Sequence, residues 1–221
     1  MRELMQLSLS DIKMDLLNGK PIVMYDFKGR EEETDMVFYG GAVTWESINI
    51  LRRDAGGLIC YVTGSEEANE IGLKFLTDEW RDHPVYSKLI KRPAYGDYPS
   101  FTIWVNHISV GTGINDIDRA KTIRELHKLI EMKDGNKMNY FLNNFYAPGH
   151  VPVLASRGLE NRKGHTELVT ALADKLNLPR SMVIAEMLDN GKSLSREKAE
   201  KLANVRELKF VEGEDLIKGL L

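Results

Sequence analysis

The chain has one cysteine, Cys60. That excludes an intramolecular disulfide and fits a reducing compartment. No apolar run approaches the roughly 20 residues that a membrane-spanning helix needs. The N-terminus lacks a basic-then-apolar signal pattern. A cytoplasmic protein with no membrane partner is therefore expected. Basic residues are not in excess: 30 Lys and Arg stand against 33 Asp and Glu, a formal net charge of −3. A general nucleic-acid binder usually carries a basic stripe, so nucleic acid is not an expected partner. Neither a GxGxxG nor a P-loop pattern is present, which argues against nucleotide sites of those kinds. Internal repeats, low-complexity tracts and flexible linkers are also missing.

What is present suits a packed core. The apolar share is 43% over 221 residues. We expect residues 1–221 to form a single α+β domain, a mixed sheet with helices packed against it. Residues 21–25 form a continuous apolar run, which reads as a buried strand. Residues 36–39, 58–62, 101–105, 151–155, 182–185 and 208–211 read as further strands. Helices are expected over residues 8–18, from Thr44 to Arg52, over 65–71, over 116–131, after Gly164, from Ser193 or Ser195 to Ala203, and over 214–221. Residues 80–99 are the least regular, with four aromatics and three prolines. They read as a surface excursion or lid. Residues 136–146 are rich in asparagine and aromatics.

The most unusual stretch is Arg30-Glu31-Glu32-Glu33-Thr34-Asp35. It lies between two apolar strands, and Asp26 ends the first of them. Like charges this close repel by about 1 kcal/mol per pair even in water. A divalent cation, an arginine or a phosphorylated ligand would offset that repulsion. The plainer alternative is a solvated acidic turn. If the chain is extended from Glu31, then Glu31, Glu33 and Asp35 share one side. Ordering such a loop costs roughly 1–2 kcal/mol of backbone entropy per residue. It is expected to be mobile until cation and ligand arrive.

A second stretch, Arg162-Lys163-Gly164-His165-Thr166-Glu167, stands directly before an amphipathic run. It falls at a helix N-terminus, where unpaired N–H groups and the helix dipole favour anions. Arg162 can add a bidentate phosphate contact, and His165 is a candidate metal ligand. The plainer alternative is an ordinary helix start capped by Thr166. Glu186 ends an apolar strand, so partial desolvation raises its expected pKa. His150 follows Pro148-Gly149 in an expected turn.

Taken together, these motifs resemble the 3,4-dihydroxy-2-butanone 4-phosphate synthase family. The resemblance rests on the Arg-Glu-x-Glu-x-Asp stretch at 30–35, Pro148-Gly149-His150, Arg162-x-Gly164-His165-Thr166-Glu167 and Glu186. Arg53-Asp54-Ala55-Gly56-Gly57-Leu58-Ile59-Cys60, and Thr112-Gly113-Ile114 with Asp118-Arg119-Ala120, add to it. It runs from about Asn18 to the C-terminus, in a monofunctional form.

The resemblance implies an enzyme of riboflavin biosynthesis that takes D-ribulose 5-phosphate to L-3,4-dihydroxybutan-2-one 4-phosphate and formate. It also implies Mg²⁺ or Mn²⁺ and a homodimer. Enolisation, dehydration, rearrangement and loss of formate each move protons beside a carbonyl. Such chemistry needs acid/base groups with separated pKa values and a cation for enediolate charge. The positions imply Glu31 and His165 as metal ligands, and His150, Glu186, Glu33 and Asp26 as catalytic groups. Substrate binding falls to Arg30, Glu31, Asp35, Arg162, Lys163, Gly164, His165, Thr166 and Glu186.

Three departures stand out. Glu32 replaces the usual glycine or asparagine. The segment 154–159 is about two residues short, which displaces a common arginine to Arg157. Ala185 replaces a common cysteine. Other readings of the same residues are a metal-dependent phosphatase or aldolase, and a non-catalytic nucleotide- or RNA-binding module. Cys60 reads as core rather than nucleophile.

Overall fold

Strands that are apolar at every position need cover on both faces, and the fold supplies it. The structure, a computed structural model, describes residues 8–133 and 135–219. Its strands are β1 (Ile22–Tyr25), β2 (Thr34–Tyr39), β3 (Cys60–Thr63), β4 (Phe101–His107), β5 (Phe145–Ala155), β6 (Ser181–Glu186), β7 (Leu188–Asp189), β8 (Lys192–Ser193) and β9 (Phe210–Glu212). Seven form one mixed sheet in the order β4-β5-β3-β6-β2-β1-β9, and β7 with β8 makes a small ribbon. Within the large sheet β1 is parallel to β9 and β3 to β5. The other neighbours are antiparallel.

Alternation along each strand feeds two cores. Val23, Met36, Phe38, Tyr61 and Val183 enter one. Ile22, Met24, Val37, Val62 and Met182 enter the other. The helices are α1 (Leu9–Leu17), α2 (Trp45–Ile50), α3 (Ser65–Glu70), α4 (Leu76–Glu79), α5 (Asp116–Glu131), α6 (Lys137–Asn144), α7 (His165–Lys175), α8 (Arg196–Val205) and α9 (Gly213–Lys218). The first core takes Ile48 of α2, Ile123 and Leu126 of α5, Phe141 of α6 and Ala199 of α8. The second takes Ile12 of α1, Leu168 and Leu172 of α7, and Leu216 of α9. This is the expected α+β arrangement, with helices on both sides of the sheet. Among the described residues no helix is long and apolar enough to cross a membrane.

Several boundaries differ from the sequence expectation. The helix after Thr44 gives way to a π-helical turn at Leu51–Ala55, stopped by Gly56 at φ +93°. Leu58 is exposed and precedes β3 rather than starting it. The asparagine-rich stretch becomes α6, anchored by buried Phe141. Pro148-Gly149-His150 lies inside the long strand β5, not in a turn. Gly149 is needed there, since a Cβ would lie 2.0 Å from the Val105 carbonyl carbon. The last helix ends at Lys218, and residues 220 and 221 of the expected helix lie outside the described residues.

Phe38 is buried in the middle of the sheet. Phe38→Ala should cost about 3–5 kcal/mol, read as a lower urea midpoint. Val205→Ala, at an exposed position, should change stability by less than about 0.5 kcal/mol.

Candidate active site

The acidic stretch is the loop of the β1–β2 hairpin, and Met24 of β1 pairs with Asp35 of β2. Asp26 is fully buried, and its carboxylate ties the loop together. It accepts the Glu31 N–H at 3.0 Å and the Glu33 N–H at 3.1 Å. Its own N–H donates to the Glu33 carbonyl. Residues 28–31 turn and Glu32 is left-handed at φ +54°. The extended run therefore starts after Glu32, not at Glu31. A left-handed backbone explains why a small residue suits position 32. Here the Glu32 carboxylate accepts the Gly29 N–H at 2.9 Å, which offsets part of the strain.

Arg30 supplies the positive charge. Its side chain is 5% exposed and closely paired with Glu31. It lies 3.5 Å from Asp26 and 3.4 Å from Asp97, and stacks over Tyr95 at 4.8 Å. Burial works against its charge, and the Glu31 carboxylate outweighs that, leaving its pKa raised. Tyr95 hydrogen-bonds Glu31, and burial raises its phenol pKa.

The start of α7 closes the site. Gly164 is the N-cap, and its N–H donates to Glu167. Buried Glu167 also pairs with Arg162 at 2.5 Å and accepts from Arg157 N and Ser100 Oγ. A Cβ on Gly164 would stand 2.2 Å from Arg162 Nη1 and 2.7 Å from Arg30 Nη2. Glycine thus lets two guanidiniums converge at a helix N-terminus. Thr166 is buried in the first turn, and Lys163 is exposed beside it. Arg30, Tyr95, Arg162 and Lys163 line a cleft of about 320 Å³.

Four titratable groups lie behind that cleft. Asp35 faces Glu186 directly across the β2–β6 pair. Burial pushes the Asp35 carboxyl well up, and Glu186, Glu33 and Glu31 push it further. Burial raises Glu186 too, against the backbone N–H bonds to its ionised form. One of these comes from Leu58, at 2.9 Å. The approach depends on Gly57, where a Cβ would lie 2.3 Å from Glu186 Oε2. His165 Nδ1 lies 3.7 Å from Asp35 and 3.9 Å from Glu31. Burial lowers its pKa, so the ring is held neutral. Glu33 accepts a hydrogen bond from Ser193 Oγ. Cys60 is buried nearby and its thiol pKa is pushed well up, which suits a core residue.

The donor set fits a hard divalent ion. Asp35 Oδ1 and His165 Nε2 are buried with no hydrogen-bond partner among the described residues. Carboxylate oxygens with one imidazole suit Mg²⁺ or Mn²⁺. Among the described residues, no three of His, Cys, Asp and Glu stand together well enough to hold an ion alone. Water or ligand oxygens would complete the shell.

His150 is elsewhere. It lies on β5, three strands from β2, or roughly 14 Å at the usual strand spacing. Its N–H donates to Asn106 Oδ1 at 2.8 Å, and its ring lies 3.0 Å from Asn106 Nδ2. Gly113 packs on the same asparagine. Two matched motifs thus meet on the β4–β5 edge, apart from the 30–35 stretch, the 162–167 stretch and Glu186. The sequence reading missed Tyr95, Asp97 and the anchoring part of Glu167. The first two sit in the irregular segment 80–99, where no periodicity marks them.

Proton-transfer groups with opposed pKa shifts, beside two guanidiniums and a helix N-terminus, define an enzyme for a small anionic substrate. The chain belongs to the 3,4-dihydroxy-2-butanone 4-phosphate synthase family, whose model matches residues 10–219. It is 38% identical over 214 residues to the 3,4-dihydroxy-2-butanone 4-phosphate synthase of Methanosarcina mazei, covering 92% of this chain and 87% of that one. It is 36% identical over 210 residues to that of Archaeoglobus fulgidus, covering 90% and 88%. A solved 3,4-dihydroxy-2-butanone 4-phosphate synthase in complex with two magnesium ions superposes with a TM-score of 0.77. It shares 24% identity, with 97% of this chain and 96% of that chain covered. That likeness shows the fold.

The Asp35 shift has a stability consequence. Its folded pKa is raised, so the folded state binds more protons than the unfolded state between the two pKa values. Stability therefore falls as pH rises through that window. Asp35→Asn should raise the melting temperature in metal-free buffer at pH 7.5. The gain should vanish as pH falls to the ordinary carboxylate range. A gain independent of pH would show that ionised Asp35 is not its source.

Proposed function

We propose that this chain converts D-ribulose 5-phosphate to L-3,4-dihydroxybutan-2-one 4-phosphate and formate with Mg²⁺ or Mn²⁺. The observation that carries this is buried Asp35 and His165, with half-buried Glu31 and Glu186 beside them, set against the α7 N-terminus and its two arginines. Glu31 and His165 would hold the metal, which stabilises developing enediolate charge when bound. Asp35 and Glu186 have raised pKa values, so they can carry protons beside the substrate carbonyl. Glu33 is close enough to both to affect their charge. Asp26 is assigned to holding the loop that presents Glu31. Arg30, Arg162, Lys163, Thr166 and the free N–H groups of α7 receive the phosphate. Tyr95 and Asp97 orient Glu31 and Arg30.

The placement of His150 supports a homodimer. Trp104, Ile108, Ile114 and Tyr146 are exposed, and Tyr146 bonds Asn106, the partner of His150. A second copy covering them would bury apolar surface and bring His150 to the partner's acidic site.

The decisive assay is incubation with ribulose 5-phosphate and Mg²⁺, with formate measured. Formate should form, stop in EDTA and return with Mg²⁺ or Mn²⁺. Phosphate release without formate would point to a phosphatase. Glu31→Gln and His165→Asn should each lower turnover by about a hundredfold or more while staying folded. Arg162→Ala should raise KM, but it also strands buried Glu167, so its stability has to be measured alongside.

His150→Ala should lower kcat rather than raise KM. Mixing inactive His150→Ala and Glu31→Gln chains should restore part of the activity, because a mixed dimer has one intact site. No recovery after confirmed subunit exchange would place His150 outside the partner's site.

A further inference from the structure

Beside the substrate cleft is a second cavity of about 540 Å³, lined by Arg92, Arg157, Asn161 and Arg162 with Phe75 and Tyr98. Arg157 is held in place. Its guanidinium carbon lies 3.5 Å from the Phe75 ring centroid, and Nη2 donates to Thr77 Oγ1 and the Pro99 carbonyl at 3.2 Å. Arg92 stacks over Tyr98 at 5.0 Å. Among the described residues neither arginine has a carboxylate within 4.0 Å. The one acidic residue in the lining, Asp97, is engaged by Arg30. Arg162 is 8% exposed, and its Nε is buried without a partner. Arg162 is paired with Glu167, so Arg92 and Arg157 are the two guanidiniums at this cavity that an anion would neutralise. Burial depresses the Arg157 pKa, against the pull of Asp78 and Glu167, and neighbouring Arg162 adds to the depression.

We propose that this cavity is a second anion site, for inorganic phosphate or a small phosphate monoester, coupled to the substrate cleft through Arg162. The planar fork of Arg92 can meet phosphate oxygens bidentately, and Arg157 can add a contact from Nη1, its Nη2 being engaged by Thr77 and Pro99. The volume lies within the ordinary range for a small-molecule pocket and leaves room for a few carbons beyond the phosphate. The two cavities share Asp97, Asn161 and Arg162. An anion here pulls on Arg162 and so competes with its hold on the substrate phosphate. The site is a brake that responds to the phosphate or phosphate-ester level.

The test is calorimetric titration of the intact protein with inorganic phosphate in metal-free buffer, which needs no turnover and so stands apart from the formate assay. Two phosphate sites per chain are expected. Arg92→Gln, at an exposed position, should weaken one of them about tenfold or more and spare the other. Arg157→Gln should weaken the same site, while Arg30→Gln should weaken the other. If Arg157→Gln fails to fold, Arg92→Gln alone decides. Glycerol 3-phosphate, titrated in parallel, separates the sources: tighter binding than phosphate assigns a monoester, and equal or weaker binding assigns free phosphate. In turnover, phosphate should raise KM in the wild type beyond simple competition at the cleft, and do so less in Arg92→Gln. One site per chain, unchanged binding in Arg92→Gln, or purely competitive inhibition that Arg92→Gln does not relieve would overturn the proposal.

Discussion

Carboxyl groups are crowded where β2 begins and β6 ends, and the surrounding structure is arranged to tolerate them. Asp35 and Glu186 sit opposite each other across two strands, where like charges destabilise a sheet. Among the described residues neither has a cationic partner within ion-pair reach apart from His165, beside Asp35, which burial keeps neutral. The carboxyls respond by rising in pKa. One layer outward, the balance is restored by a single guanidinium. Arg30 faces Glu31, Asp26 and Asp97 at once. Asp26 is satisfied instead by backbone N–H groups of its own loop. The uncompensated part is therefore confined to the place where a cation and a substrate would enter. Strain of this kind is common at functional sites, which give up stability for activity.

Much of the fold was legible because burial on both faces leaves a plain mark. Strands β1, β2 and β6 are continuous apolar runs, and α5 shows a clear stripe. What was missed had physical reasons. Asparagine is a weak helix former, yet α6 forms because Phe141 packs into the core. Proline and glycine at 148 and 149 signal a turn, yet they extend β5, where glycine admits the β4 backbone.

Of the candidate site, the motifs marked Arg30, Glu31, Asp35, His165 and Glu186, and the fold brings these together. Local reading failed at Glu32, Tyr95 and Asp97. Repulsion alone suggested a loop without order, and the sequence could not show that Asp26 and Arg30 would organise it. Tyr95 and Asp97 reach Arg30 across more than 60 positions of chain, a contact with no periodic signature. Glu167 looked like an ordinary first-turn acid, but four separate donors converge on it.

A sheet apolar on both faces has a weakness that its sequence conceals. Where one face is wet, a one-residue slip drives polar groups into the core, and the hydrophobic pattern forbids it. Here a slip would only exchange one apolar face for the other. Alignment must come from groups that tolerate a single partner. Tyr61 bonds Ser181 at the start of β6, and Glu186 receives the Leu58 N–H at its end. The carboxylate at the reacting end thus doubles as a ratchet pawl for its own strand. Chemistry and alignment share the same side chain, so neither can drift without the other.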